Sequence, residues 1–216
     1  MIDPLPSDVK PRRSYDASRR RAQAGENRSR IIDTAESMFL CTGYSATTVQ
    51  AIAAAAGVSA DTIYKSFGGK PGLIRAIRDH ALHGEGAVPA ERRSDELQER
   101  ESDPRAIIRA WGNFVAELAP RVSPVLLLIR DVAASDTEVR ALRDELDADR
   151  LERMTTNARR LRDAGHLRPG ISLAQAADIL WTYSSPELYE LLVLRRRWTP
   201  ERYGRYVADA MINALL

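Results

Sequence analysis

The chain has 216 residues, 44% of them apolar, and a formal net charge of +2. That suits one compact domain, or a small domain joined to a larger one, with enough chain to bury a core without cross-links. A single cysteine, Cys41, excludes an intrachain disulfide, and no run of about 18 apolar residues argues for a membrane span.

The first residues, Met-Ile-Asp-Pro, lack the apolar segment of a secretory signal. With the lone cysteine, this sets a cytoplasmic location as the expectation. Residues 1–26 are rich in Pro, Ser and Arg and poor in large apolar side chains, which predicts a disordered basic N-terminal arm. From Lys10 to Arg30 the cations Lys10, Arg12, Arg13, Arg19, Arg20, Arg21, Arg28 and Arg30 meet only Asp16 and Glu26. Such a cluster suits a polyanion.

From Asn27 onward nearly every segment reads as helix. Ile31, Ala35, Met38 and Phe39 recur at helical spacing and Gly43 ends the run. Thr47-Thr48-Val49-Gln50 reads as a capping box with Thr47 as its N-cap. The helix it opens, Val49 to Ala56, stops at Gly57, with Ala51, Ile52 and Ala55 expected to face inward. Ser59 caps a short helix from Ala60 to Lys65, Gly68-Gly69 break it, and Lys70-Pro71 start a fourth. Residues 84–102 read as a polar linker. Beyond it, predicted helices run from Asp103 to Ala119, Val125 to Ala133, Asp136 to about Gly165 and from Ser172, with a break at Ser184-Ser185-Pro186. The last helix opens at Thr199-Pro200. No alternating strand pattern appears, so the fold class is all-α: a three-helix helix-turn-helix domain over residues 27–83 and a larger helical domain over 103–216.

Two short helices joined by a tight turn over residues 47–65 form a rigid corner that suits DNA. Gly57 supplies the left-handed turn, while Val58 and Ile63 anchor the corner. Ser59, Ala60, Asp61, Thr62, Tyr64 and Lys65 are left for the outer face, where a recognition helix meets base edges and phosphates. Thr48 and Lys70 sit at helix starts, where backbone amides suit phosphate.

These residues carry a resemblance. Thr47-Thr48-Val49, Ile52-Ala53, Ala56-Gly57-Val58-Ser59, Ile63-Tyr64, Phe67 and Lys70 with Leu73 resemble the DNA-binding region of the TetR family of bacterial regulators. The resemblance implies a ligand-responsive, sequence-specific DNA-binding regulator, a repressor released from its operator by a small-molecule effector. It also implies a homodimer through the C-terminal helices. The operator contacts it implies fall on Thr48, Ser59, Ala60, Thr62, Tyr64, Lys65 and Lys70. The chain departs from the family pattern at Ser66, where the family often has histidine, and at Pro71, where glutamate often follows the lysine.

A pocket among the C-terminal helices is expected to be lined by Trp111, Phe114, Leu127, Arg130, Met154, Asn157, Trp181, Tyr183 and Tyr189. Trp181, Leu188, Leu191, Leu192, Tyr203, Tyr206, Val207, Met211 and Leu215 give apolar faces for the dimer contact. His80 and His83 with Glu85 form no convincing metal set, and Cys41 reads as a small buried apolar residue. No catalytic constellation, metal or cofactor is expected. Two other readings stay open: an all-α enzyme or carrier with an incidental helix-turn-helix, and an effector-free DNA-binding protein with a tightly packed C-terminal domain.

Overall fold

The computed structural model describes residues 14–83 and 88–216. Four helices, α1 (Ser14–Thr42), α2 (Val49–Ala56), α3 (Ala60–Phe67) and α4 (Lys70–His83), make a head. The body holds α5 (Ala90–Arg100), α6 (Pro104–Ala133), α7 (Thr137–Asp163), α8 (Leu173–Tyr183) and α9 (Pro186–Tyr189). A π-helical segment, Glu190–Arg195, and α10 (Pro200–Leu215) complete it, and there is no strand among the described residues.

Two apolar cores hold these helices together. The first gathers Ile31 and Phe39 of α1, Ile52 of α2, Ile63 of α3 and Leu73 and Ile77 of α4. It continues without a break into Val125 and Ile129 of α6 and Leu142 and Leu146 of α7. Ion pairs reinforce that seam: Arg75 meets Glu145 at 2.6 Å and Arg78 meets Asp149 at 2.7 Å. The second core joins Ile108 and Trp111 of α6, Leu161 of α7, Leu180 of α8 and Tyr203, Val207, Met211 and Leu215 of α10. Where α6 and α10 cross, the backbones nearly touch. A Cβ at Gly112 would lie 2.5 Å from the Gly204 oxygen, and one at Gly204 2.3 Å from the Gly112 oxygen.

Several sequence expectations need correction. Residues 1–13 of the expected arm lie outside the described residues, but 14–26 are the first turns of α1 rather than disordered. Short-range side-chain bonds support them: Gln23 to Glu26 and Asn27, and Arg30 to Asn27. In the expected linker, residues 84–87, including Glu85, lie outside the description, and α5 covers most of the rest. Charge holds α5 to the body: Arg93 pairs with Glu117, and Asp95 accepts from both Arg153 and Arg160. Burial works to raise the Asp95 carboxyl's pKa, but the two guanidiniums prevail and hold it below the ordinary range.

The break expected between 119 and 125 is absent, and α6 runs through Pro120 and Pro124. Each proline removes one backbone bond. The helix persists because Ile107, Ile108 and Trp111 before the prolines and Val125, Leu127, Ile129 and Ala133 after them are all buried. It is the one helix among the described residues long and apolar enough to cross a membrane, but in this fold it contributes to both cores. Ala51 and Ala55 face solvent instead of the core; the buried positions of α2 are Val49, Ile52, Ala53 and Ala56, spaced three and four apart. Cys41 is exposed. Of the expected dimer face, Tyr203, Val207, Met211 and Leu215 are spent inside the second core, while Leu191 and Tyr206 stay exposed with Leu194 beside them.

Candidate functional site

The corner from Thr47 to Lys65 is built by caps and one turn. Thr48, not Thr47, is the N-cap of α2: its Oγ1 accepts from the Ala51 amide at 3.1 Å. Thr47 is buried, and its hydroxyl donates toward the carbonyls of Gly43 (2.8 Å) and Met38 (3.3 Å), tying the turn to the end of α1. Adjacent threonines fit the same capping pattern, so spacing alone could not separate their roles. Gly57 takes φ 67°. The amides of Gly57 and Val58 close back on Ala54 (3.2 Å) and Ala53 (3.0 Å), the paired bonds of a Schellman turn. Ser59 Oγ then accepts from the Thr62 amide at 3.1 Å to start α3.

Ile63 is fully buried and pins α3 to the head. That orientation leaves Ser59, Asp61, Thr62, Tyr64 and Lys65 exposed and Ala60 half-buried. Tyr64 shows 49% of its surface. Lys65 pairs with Asp61 at 3.2 Å, both side chains 79% exposed. Thr62 and Ser59 share a hydroxyl contact of 2.8 Å. Two arginines brace the same corner from α1: Arg28 lies 4.6 Å over the Phe67 ring and Arg30 Nε donates to the Ala56 carbonyl at 3.0 Å.

Lys70 is placed differently from expectation. Its ammonium donates to the Tyr44 carbonyl at 2.6 Å and sits 4.1 Å over the Tyr44 ring. Burial lowers its pKa, and burial with the carboxylates of Glu138 and Asp136 pushes the Tyr44 phenol up to about 12. The ammonium therefore fixes α4 to the end of α1 instead of facing outward. Beside it, Gly72 allows α4 to pack on the end of α3: a Cβ there would fall 1.5 Å from the Phe67 oxygen.

The body holds a cavity of about 620 Å³ between α4, α5, α6, α7 and α10. Of the residues expected to line it, Trp111, Phe114, Met154 and Asn157 do. Leu127, Arg130, Trp181, Tyr183 and Tyr189 do not. Leu127 is buried on another side of α6, and Tyr183 packs at the margin of the second core. Arg130 is held outside by Glu190 at 2.7 Å and Asp131 at 2.9 Å. Tyr189 stacks edge-on to Tyr203 at 5.7 Å, and the Trp181 ring lies under the Arg150 guanidinium at 4.4 Å.

Sequence reasoning missed Arg150, Ser123 and Tyr203 at the cavity. Arg150 looked like one more surface charge on a highly charged helix. It is turned in, its Nη1 donating to the Trp181 carbonyl at 2.5 Å, its Nη2 to Asp147 at 3.2 Å, and burial lowers its pKa. Burial also raises the pKa of Tyr203. Arg78 and Asp79 of α4 lie on the cavity wall. The helix that follows α3 is thus also part of the cavity's lining. No group of three or more His, Cys, Asp or Glu suited to a metal occurs among the described residues.

Residues 31–77 match the model of the family described as "Bacterial regulatory proteins, tetR family". No curated protein matches the chain in sequence. Among solved structures, the complex of SmeT with triclosan is similar at 22% identity and TM-score 0.64, covering 88% of this chain and 92% of the other; SmeT is the repressor of the Stenotrophomonas maltophilia multidrug efflux pump SmeDEF. NalD of Pseudomonas aeruginosa, secondary repressor of the MexAB-OprM multidrug efflux pump, is similar at 20% identity and TM-score 0.69, covering 90% and 98%. The fatty acid degradation regulator FadR of Bacillus halodurans is similar at 19% and TM-score 0.69, covering 87% and 99%.

Proposed function

We propose that the chain, whose residues 31–77 match the model of the tetR family of bacterial regulatory proteins, is a repressor that grips operator DNA through α3 and releases it when a small molecule fills the cavity. The observation that carries the reading is the outer face of α3: a helix pinned by one buried side chain, Ile63, and presenting Ser59, Thr62, Tyr64 and Lys65 to solvent. Thr62 reads base edges, and Tyr64, Lys65, Ser59 and Thr48 meet phosphate oxygens. Ala60 suits a thymine methyl. Lys70 contributes its backbone amide at the start of α4, its ammonium serving to position the helix.

Release follows from α4. A ligand pressing on Arg78 and Leu82 acts on the helix whose first turn packs against α3. Two structural relatives are repressors of efflux pumps, one of them solved with triclosan, which supports repression relieved by a small molecule. Operators read by such corners have half-sites about 34 Å apart, so the working form is a homodimer. Its contact is formed by Leu191, Leu194 and Tyr206, the exposed apolar side chains of the C-terminal segment. The cavity also favours this reading over an effector-free DNA-binding protein, whose body would be packed solid.

A gel-shift with the chain's own upstream DNA at low salt tests the proposal. Binding to a discrete fragment is the expected result, and failure to hold any DNA would contradict it.

A further inference from the structure

Positive charge is concentrated at one end of this chain. Residues 10–30 carry eight cations against Asp16 and Glu26, a net +6 in a chain whose total is +2. The other residues therefore sum to −4. Attraction for a polyanion is a property of this segment, not of the molecule as a whole.

Much of the segment is helix without a core beneath it. α1 begins at Ser14, yet residues 22–26 are all exposed, and the first side chain described as buried is Ile31. A Cβ on Gly25 would meet nothing within 4 Å. Packing contributes nothing to a helical stretch that is bare on every face, and a glycine within it weakens it further.

This bare stretch is rooted at the corner that carries α3. Arg28, itself exposed, lies 4.6 Å over the ring of Phe67, the last residue of α3. Arg30 Nε donates to the carbonyl of Ala56, the last residue of α2, at 3.0 Å. With a rise of 1.5 Å per residue, Arg19, Arg20 and Arg21 stand roughly 10–14 Å along the helix axis from Arg28. Duplex DNA carries one charge per about 1.7 Å of its axis, so a helix of that length lying along it meets several phosphates. Arginine suits them because its planar fork can give two parallel hydrogen bonds to one phosphate.

We propose that the N-terminal extension of α1 is a second DNA-binding element, in which Arg19, Arg20 and Arg21 neutralise phosphates flanking the site read by α3. The proposal rests on the reading of the corner as the DNA interface. The extension adds affinity without sequence information, since phosphates are alike along a duplex. Its root beside α3 favours DNA over an acidic protein as the occupant.

Fluorescence anisotropy of the full chain across a salt series tests this, on a duplex from its own upstream DNA and on a scrambled duplex of equal length. One variant combines Arg19→Ala, Arg20→Ala and Arg21→Ala; a second replaces the same three arginines with lysine. The triple alanine variant should lower the slope of log affinity against log salt by about two to three on both duplexes. Its preference between them should be unchanged, and the triple lysine variant should keep most of the slope. An unchanged slope in the triple alanine variant, with Lys65→Ala still lowering it, would overturn the second element and leave the role of the corner standing. A loss confined to the upstream duplex, or an equal loss with lysine, would overturn the assignment to phosphates. An unchanged slope with an altered sedimented mass would give the extension to a second copy of the chain and overturn the proposal. Failure of the wild type to hold either duplex would overturn both readings.

Discussion

Thr47 in the head and Asn157 in the body are both buried polar residues, 2% and 5% exposed, and they are treated in opposite ways. The Thr47 hydroxyl lies within hydrogen-bond distance of two carbonyls, whereas Asn157 Oδ1 has no partner among the described residues. The same contrast holds around them. In the head, the caps at Thr48 and Ser59 and the turn at Gly57 satisfy backbone groups locally. In the body, a large space is kept open between helices that otherwise pack closely enough for Gly112 and Gly204 to meet. An unmet acceptor of this kind costs stability that the paired Thr47 hydroxyl does not.

The largest losses are expected at the glycines. Gly72→Ala forces a methyl group into the Phe67 carbonyl and should cost at least about 3 kcal/mol, with loss of DNA binding, as read by denaturant unfolding and gel-shift. Gly204→Ala should do comparable damage to the crossing of α6 and α10 while leaving the α3–α4 corner intact. Next comes Asp95→Asn, which removes charged bonds to Arg153 and Arg160 and should cost about 1.5–3 kcal/mol. Its pH dependence has a definite sign. The folded carboxyl has the lower pKa, so its contribution is present above the unfolded value of 3.8 and is lost as pH falls through the depressed folded value. Acid unfolding of the wild type should show this loss and Asp95→Asn should lack it. Smaller still is the pair that tests the contrast itself: Thr47→Val should destabilise by about 1 kcal/mol and Asn157→Leu should stabilise by about the same amount. Equal signs for the two would erase the distinction between head and body.

Much of the head was legible because its signals are local. A cap, a left-handed glycine and an apolar residue at the right offset lie within a few positions, and Ser59, Gly57 and Ile63 all take the places their spacing implies. The shift from Thr47 to Thr48 shows the limit of such reasoning, since neighbouring hydroxyls satisfy the same pattern. Caps farther along were equally readable: Asp103, Asp136, Ser172 and Thr199 each accept from an amide two or three residues on. The body's site was less legible, because its determinants are contacts between distant segments. Nothing near Gly204 in sequence announces Gly112, and nothing near Arg150 announces Trp181. Pro120 and Pro124 suggested a break, but burial on both sides of them outweighed two missing backbone bonds.

The salt dependence of binding to the chain's own upstream DNA, measured by fluorescence anisotropy for wild type, Lys65→Ala and Lys70→Ala, tests whether the outer face of α3 meets DNA. Lys65 faces outward beside Asp61, and Lys70 faces inward on Tyr44. Lys65→Ala should lower the slope of log affinity against log salt by about one, and Lys70→Ala should leave it nearly unchanged. An unchanged slope in Lys65→Ala would contradict the assignment of the outer face of α3 to DNA.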